Sequence, residues 1–287
     1  MNTTSQIFLF IFFFVGFSVK APIFPFYSWL PEAHVEASTT VSILLAAIFL
    51  KVSTYGFLKI IIFNFYFAAI YFNSVILYFS IVSIFVASFL SLIQTDLKKV
   101  IALSSIIHMN YMVISIFSLD CKSIMGSLVY MFAHALVSSS LFYIIGYYYD
   151  NVGSRDLYNI NNSFSYSSKL SFYFILFNLA NISFPLTISF ISEIMIFNNL
   201  VLYNVLILFF LTFSIFFSAI YTFWLIHNLL FGRNFFNRNY FVINKFDMYF
   251  LNFMLFMVIV LGIIPSIILF NIEQEIYLIL TNKLFLN

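Results

Sequence analysis

The sequence predicts an all-α membrane protein with about eight transmembrane helices, two of them discontinuous. Of its 287 residues, 63% are hydrophobic and only 8% are charged, whereas a soluble domain carries about 25% charged residues. Apolar runs of about 20 residues recur along the chain between polar clusters, as transmembrane helices require. Prolines interrupt two of these runs near their middle. A chain this apolar cannot cover a water-facing surface, so its solvent is the bilayer.

The predicted spans account for most of the chain. In order, they occupy residues 7–30, 38–62, 69–93, 98–118, 123–149, 170–202, 204–231 and 247–271. The first holds Pro22 and Pro25, and the sixth holds Pro185. Proline removes a backbone donor, and inside a membrane such a break survives only where protein or a water-lined cavity satisfies the freed groups. We therefore expect the first and sixth spans to be discontinuous helices.

The composition excludes several classes of function. A formal net charge of only +2 provides no concentrated basic face for nucleic acid. Cys121 is the only cysteine, which excludes iron–sulfur ligation and internal disulfides. The sequence has no Cys-x-x-Cys pair, no glycine-rich phosphate loop and no ligand cluster around a histidine, so we expect no cofactor and no metal on this chain. Any redox chemistry would then take place on other chains.

Lysine and arginine residues indicate how the chain is oriented. We call the side reached after the first span side A. Seven basic residues lie in the loops and helix ends of side A: Lys98, Lys99, Arg155, Lys169, Arg233, Arg238 and Lys245. The opposite side carries Lys59, Lys122 and Lys283. The positive-inside rule places side A on the matrix or cytoplasmic face, with chance asymmetry as the alternative explanation.

Three charged residues lie inside predicted spans rather than at their ends. Lys20 lies near the middle of the first span, Lys51 near the middle of the second, and Glu193 in the second half of the sixth. A charge at the centre of a transmembrane helix costs about 2.5–3.5 kcal/mol on insertion scales, and such residues usually mark ion or proton routes. Interhelical ion pairs, or lysines that snorkel to the interface, are the structural alternatives.

Two histidines also lie near the middle of spans. His108 is in the fourth span and His134 in the fifth, both among serines and other polar residues. Histidine titrates near physiological pH and can pass a proton between its two nitrogens. These positions favour a proton relay, and the alternative is a hydrogen-bonded histidine in the packing. His34 and His227 lie at span ends, where a structural or surface role is expected.

Several segments resemble the signatures of one family, the antiporter-like subunits of respiratory complex I. They are KAPIFPFYSWLPEAHVEA (20–37), LLAAIFLKVSTYGFLKI (44–60), QTDLKKVIALSSIIHMNYMVI (94–114), MFAHALVSSSLF (131–142), SRDL (154–157) and NISFPLTISFISEIMI (181–196). They cover nearly the whole chain in the family's order. Within the family the resemblance is closest to the subunit 4 branch of the mitochondrial enzyme, because other branches usually carry lysine at the position of Glu193.

The resemblance implies a role for each of the buried charges. Lys20 matches the lysine of the family's discontinuous seventh helix, and Lys51 matches the central lysine of its eighth. His108 and His134 match relay histidines, and Glu193 matches the carboxylate of the discontinuous twelfth helix. The resemblance therefore implies that these five residues form a proton relay.

The family fold, a pair of five-helix inverted repeats with one broken helix in each, implies how the chain is divided. Residues 1–287 would form a single transmembrane domain. Residues 1–62 would end the first repeat, 69–231 would form the second, and 247–287 would hold the last helix and tail. The two proline-broken spans fit this pattern independently.

The function implied by the resemblance is proton translocation in the membrane arm of complex I, in the mitochondrial inner membrane with the basic loops in the matrix. NADH, flavin, iron–sulfur clusters and ubiquinone would be bound by other subunits. The expected partners are the other membrane subunits of the complex, including antiporter-like neighbours, and membrane lipids, with no nucleic acid. A multisubunit cation/proton antiporter, or a structural subunit of complex I that does not pump, are the alternatives.

The chain departs from the family in one respect. A full member has fourteen helices, and this chain matches only the last eight. The missing part includes the fifth helix, whose glutamate pairs with the lysine that corresponds to Lys20. We expect a separate membrane polypeptide to supply these front helices and to place a carboxylate near Lys20, and loss of the front helices is the alternative.

Overall fold

The computed structural model describes residues 3–157, 167–231, 243–270 and Glu273, and these residues form a bundle of helices. The α-helices are α1 (Thr3–Lys20), α2 (Trp29–Glu36), α3 (Thr39–Leu44), α4 (Leu50–Gly56), α5 (Tyr66–Ile93), α6 (Leu97–Phe117), α7 (Cys121–Val152), α8 (Ser168–Asn181), α9 (Ile188–Tyr203), α10 (Val205–Phe231) and α11 (Lys245–Ile263). Within the described residues, six helices are long and apolar enough to cross a membrane, with α3 and α4 counted as one helix, Thr39–Ile62. The chain is a multi-span α-helical membrane protein, as predicted.

The first predicted span is broken, as expected. Helix α1 ends at Lys20 and α2 begins at Trp29, and the residues between them contain both prolines. Two polar side chains from other helices satisfy backbone groups of this break. Ser83 Oγ accepts a hydrogen bond from the Phe24 backbone nitrogen at 2.6 Å, and Asn110 Nδ2 donates to the Pro22 carbonyl at 3.3 Å. The break is held by protein, as a break within a membrane must be.

The sixth predicted span is broken in a similar way. Helix α8 ends at Asn181 and α9 begins at Ile188. Ser183 and Leu186 in the break have positive φ values of 61° and 77°, so the chain turns sharply here. A Cβ added to Gly262 of α11 would come within 2.4 Å of the Leu186 carbonyl oxygen. The last helix therefore packs directly against the break, and only a glycine permits that distance.

Helix α6 is the centre of the bundle. Every residue from Leu97 to Phe117 is buried except Lys99. The helix packs against α5, α7 and α2, so none of its faces is left to contact lipid. A transmembrane helix enclosed on all sides can carry polar residues at little cost provided that they find partners. This enclosure explains how α6 accommodates His108, Asn110 and its serines.

Two of the side-A cations close the end of α2. Lys98 Nζ donates to the Ala37 carbonyl at 2.9 Å, and Arg155 Nη1 donates to the Val35 carbonyl at 2.9 Å. Positive groups are stabilising at the C-terminal end of a helix, where carbonyls are unpaired. Three residues used for the orientation lie outside the described residues: Arg233, Arg238 and Lys283. The matrix orientation and the division into repeats stay predictions.

Candidate functional site

Lys51 lies in the helix Thr39–Ile62, between two π-helical segments, Leu45–Phe49 and Phe57–Ile62. Interruptions of this kind occur frequently at functional sites. The lysine side chain is buried, and its Nζ donates a hydrogen bond to the Ala46 carbonyl of the first π-helical segment. The same Nζ lies 2.7 Å from His134 Nδ1. Lys51 therefore points into the bundle and does not snorkel to the membrane interface.

His134 and His108 are neighbours across the interface between α7 and α6. Their ring centroids are 5.4 Å apart, and both rings are buried. A cavity of about 10 Å³ lies beside them, close to the smallest volume that holds one water molecule. Its lining includes polar groups able to bind a water: His108, Tyr130, His134, Asn181 and Ser189. One water in this cavity would lie between His134 and the polar groups around His108.

Tyr130 connects His108 to Glu193. The tyrosine hydroxyl lies 2.5 Å from His108 Nδ1 and 2.8 Å from Glu193 Oε1. On its other side, His108 Nε2 lies 3.1 Å from Asn181 Oδ1, at the end of α8. Glu193 is buried on α9, just after the break in the sixth span. Hydrogen-bond distances therefore run without interruption from His108 to the carboxylate.

The Tyr130 hydroxyl carries one proton, so it can donate a hydrogen bond to either His108 or Glu193 and accept one from the other. In the first arrangement, a protonated Glu193 donates to the Tyr130 oxygen, and Tyr130 donates to Nδ1 of a neutral His108. In the second, Tyr130 donates to an ionised Glu193, and an imidazolium at His108 donates to the Tyr130 oxygen. The two arrangements differ by the shift of two protons along two hydrogen bonds. One charge thereby moves between α9 and α6 without movement of any heavy atom.

Lys20 is the one predicted relay residue that the structure does not bring to the others. It is the last residue of α1, and its side chain is exposed on the described part of the chain. The apolar residues Phe12 and Val19 of the same helix are exposed as well. Lys20 is therefore not buried by the described residues of this chain, and its place in the relay stays a prediction. Its surroundings would have to come from outside the described residues.

Two site residues were missed by the sequence reasoning. Tyr130 lies four residues before His134 on α7 and therefore shares its face, which is a signal that the sequence contained. Asn181 lies at the end of α8, just before the break, and nothing in the sequence indicates that it would reach His108. In the described ranges 3–157, 167–231 and 243–270, no cluster of three or more His, Cys, Asp or Glu side chains could hold a metal ion.

Comparison with known sequences confirms the resemblance. Residues 1–218 match the family described as NADH:quinone oxidoreductase/Mrp antiporter, transmembrane. The chain is 41% identical over 228 residues to NADH-ubiquinone oxidoreductase chain 4 of Chondrus crispus, covering 79% of this chain and 46% of that protein. It is 37% identical over 282 residues to the protein of that name from Acanthamoeba castellanii, covering 97% and 56%. The chain spans about half the length of these curated relatives.

Comparison with solved structures shows the same fold. One chain of respiratory complex I from Thermus thermophilus superimposes with a TM-score of 0.90 and 17% sequence identity, over 98% of this chain and 60% of that one. A chain of the Mrp complex from Dietzia superimposes with a TM-score of 0.82 and 11% identity, over 91% and 57%. Because the family match covers most of the chain and the folds agree, the chain belongs to the NADH:quinone oxidoreductase/Mrp antiporter transmembrane family.

Proposed function

We propose that this chain translocates protons in the membrane arm of a complex I-type NADH:ubiquinone oxidoreductase of the mitochondrial inner membrane. The observation that carries the proposal is the line of buried proton-bearing groups from Lys51 through His134, His108 and Tyr130 to Glu193. The names of the curated relatives support the choice of enzyme, since those quoted above are chain 4 of NADH-ubiquinone oxidoreductase. Redox centres and substrates would then belong to other subunits.

The geometry supports a sequence of short proton transfers. Lys51 Nζ faces His134 Nδ1 at 2.7 Å, so a proton can pass directly between them. A water in the cavity beside them would carry the proton between His134 and His108, and it would take the place of Asn181 Oδ1 at His108 Nε2 during the transfer. Tyr130 completes the path by the paired shift described above, which ends at Glu193. A proton enters at one end of this line and leaves at the other, and no group undergoes oxidation or reduction.

Electrostatic repulsion would limit how many excess protons this relay holds at one time. Lys51 and His134 are in hydrogen-bond contact, and two positive charges side by side repel strongly at low dielectric. The pair is therefore expected to hold one excess proton at a time. Moving one elementary charge against 100 mV costs about 2.3 kcal/mol, and a change in neighbouring charge inside the membrane can supply a difference of that size.

Lys20 would be the group at which that change arrives. It is exposed at the end of α1, on a face with exposed Phe12 and Val19, and a charge at membrane depth requires a partner. We infer that a carboxylate from outside the described residues pairs with Lys20 in the assembled complex. A structure of that complex tests this: a carboxylate within 4 Å of Nζ is expected, and lipid alone at Lys20 would contradict it.

A subunit of a multisubunit cation/proton antiporter is the second candidate, because the Mrp chain shares the fold over 91% of this chain. Purification of the native assembly distinguishes the two candidates. The complex I assignment predicts that flavin and iron–sulfur subunits co-purify with this chain and that NADH drives proton uptake into vesicles. An assembly without redox subunits that exchanges Na⁺ for protons would instead establish the antiporter. A third candidate, a structural subunit that does not pump, predicts no effect of Glu193 substitution on translocation.

A further inference from the structure

A groove beside Lys51 has no part in the relay described above. It has a volume of about 480 Å³ and lies between the helix Thr39–Ile62 and α7. Large exposed side chains line its mouth: Ile48, Val52, Tyr55 and Phe132. Among the described residues that line it, Lys51 is the only one that carries a charge. The groove is therefore suited to hydrocarbon rather than to water.

Lys51 presents its methylene stem to this groove. Its Nζ contacts the Ala46 carbonyl and His134 Nδ1 inside the bundle, which leaves the aliphatic part of the side chain to line the groove. Lysine stems commonly lie along apolar surface while the charged end finds polar partners. Hydrocarbon in the groove would therefore pack on the stem of Lys51 and exclude water from the lipid side of the Lys51–His134 pair.

The groove extends away from side A. Near side A the two helices are in close contact, because a Cβ added to Gly146 would come within 2.4 Å of Thr39 Cγ2. The groove lies beyond this contact, along residues 47–55 of the first helix. One turn further on, the same helix carries the exposed Lys59, and the exposed Lys122 lies in the first turn of α7. Two cations therefore lie toward the membrane surface at this end of the groove.

The dimensions of the groove fit one acyl chain. Residues 47–55 rise by about 12 Å, so a volume of about 480 Å³ corresponds to a mean cross-section of about 40 Å². An α-helix with its side chains has a cross-section of roughly 80–110 Å², which is too wide for this groove. From Lys59 to residue 47 the helix rises by about 18 Å, close to the thickness of one hydrocarbon leaflet, about 15 Å. An acyl chain that starts at the level of Lys59 would therefore reach Lys51.

The charges at this end of the groove favour an anionic headgroup. Lys59 and Lys122 are both exposed. Leu58 packs against Ile124 and Met125 of α7, which brings the two lysine-bearing ends of the helices together. Lysines near a membrane surface attract anionic lipids, and an ammonium group donates charge-assisted hydrogen bonds to phosphate. The charged end and the apolar groove together match the two parts of a phospholipid.

We propose that one anionic phospholipid binds here, with its phosphate at Lys59 and Lys122 and one acyl chain in the groove against Lys51. The acidic neighbour Asp120 does not occupy this position, because it caps α7 by accepting a hydrogen bond from the Ser123 backbone nitrogen. The lipid belongs to the leaflet opposite side A. This binding site goes beyond the proposed function and does not depend on it.

Photo-crosslinking in the assembled complex tests the site. The complex is reconstituted in phosphatidylcholine vesicles that contain phosphatidylglycerol with a diazirine at the end of one acyl chain, and mass spectrometry identifies the labelled residues. We expect label on residues 47–55 and 128–135, at least about fivefold more than from the same diazirine on phosphatidylcholine. Equal labelling by the two probes would show ordinary bulk lipid, and absence of label from the groove would show that another chain covers it. Either result would overturn the proposal.

A double substitution tests the headgroup contacts. Lys59→Gln combined with Lys122→Gln should lower labelling by the phosphatidylglycerol probe about fivefold or more, to the level of the phosphatidylcholine probe. Lys169→Gln combined with Lys245→Gln is the matched control, since it removes two exposed cations on side A, and it should leave labelling unchanged. Equal labelling of the two double variants would show that Lys59 and Lys122 do not hold the headgroup.

Filling the groove tests the position of the acyl chain. Ala135→Leu keeps both lysines but places a larger side chain in the groove, and we expect the label on residues 47–55 to be lost. If this variant fails to assemble, Ala47→Leu fills the groove from the facing helix. Wild-type labelling in the assembled variant would place the acyl chain elsewhere and overturn the proposal. Because labelling requires no proton transfer, failure of the proposed function would leave these results unchanged.

Discussion

The two broken spans differ in how much of their surroundings the chain itself provides. At the second break, Glu193 is buried and its carboxylate accepts a hydrogen bond from Tyr130. At the first, Lys20 is exposed on an apolar face of α1. Side chains bond to the backbone at both breaks, Ser83 and Asn110 at the first and Ser189 Oγ to the Ala180 carbonyl at the second. The clearest difference between the two breaks therefore lies in their charges. The described residues therefore contain one connected line of proton-bearing groups, from Lys51 to Glu193, and one charge, Lys20, that they leave uncovered.

Lys51 joins these two regions. By sequence it follows the first break, yet its Nζ contacts His134 on α7, which lies in the predicted second repeat. If the predicted division at residues 62 and 69 is correct, this contact crosses between the repeats. Any signal that arrives at Lys20 would then reach the complete relay through Lys51. The largest effects are therefore expected where the two regions meet.

Lys51→Arg is expected to have the largest effect of the local substitutions. Arginine keeps the positive charge but does not release its proton, so it cannot pass one to His134. We expect assembled complex with NADH-driven translocation lowered about tenfold or more, equivalent to at least roughly 1.4 kcal/mol. The proton uptake of vesicles per NADH oxidised measures this. A normal ratio in the Arg variant would make Lys51 a fixed counter-charge rather than a carrier.

Tyr130→Phe tests the link between His108 and Glu193. The ring is retained, but the hydroxyl that contacts both groups is lost, and we expect translocation to fall about fivefold, roughly 1 kcal/mol. Tyr111→Phe is the matched control, since Tyr111 is equally buried but its hydroxyl contacts Ser214 instead. Equal rates for the two variants would show that the phenol of Tyr130 carries no protons.

Gly262→Ala should have the smallest effect of these substitutions. Its Cβ would lie 2.4 Å from the Leu186 carbonyl oxygen, so the second break must shift. Overpacking of this kind costs about 1–3 kcal/mol of stability, and we expect a lower thermal midpoint with about a twofold loss of translocation. Gly16→Ala, where a Cβ meets nothing within 4 Å, provides the comparison. Equal midpoints for both variants would show that α11 does not constrain the break.

The fold was predictable from the sequence because apolar length and proline position determine it. The runs that contain Pro22, Pro25 and Pro185 are broken in the structure where those prolines predict a break. The contacts within the proposed relay were harder to predict from the sequence. Asn181 of α8 contacts His108 of α6 across the interface between the two helices. When a helix is apolar on every face, its sequence does not indicate which face meets a given neighbour. For Lys20 the sequence indicated a position inside a span, but a charge inside a span does not indicate what covers it.

We propose that protons move along the line from Lys51 to Glu193, and Glu193→Gln interrupts that line at its end. Glutamine preserves the shape and can accept the Tyr130 hydrogen bond, but it cannot take up the proton. We expect this complex to assemble at the wild-type level, with NADH-driven proton translocation into vesicles lowered about tenfold or more, at least roughly 1.4 kcal/mol. Glu36→Gln, at an exposed carboxylate of α2, should translocate normally. Wild-type translocation by the assembled Glu193→Gln complex would show that the proton path does not end at Glu193.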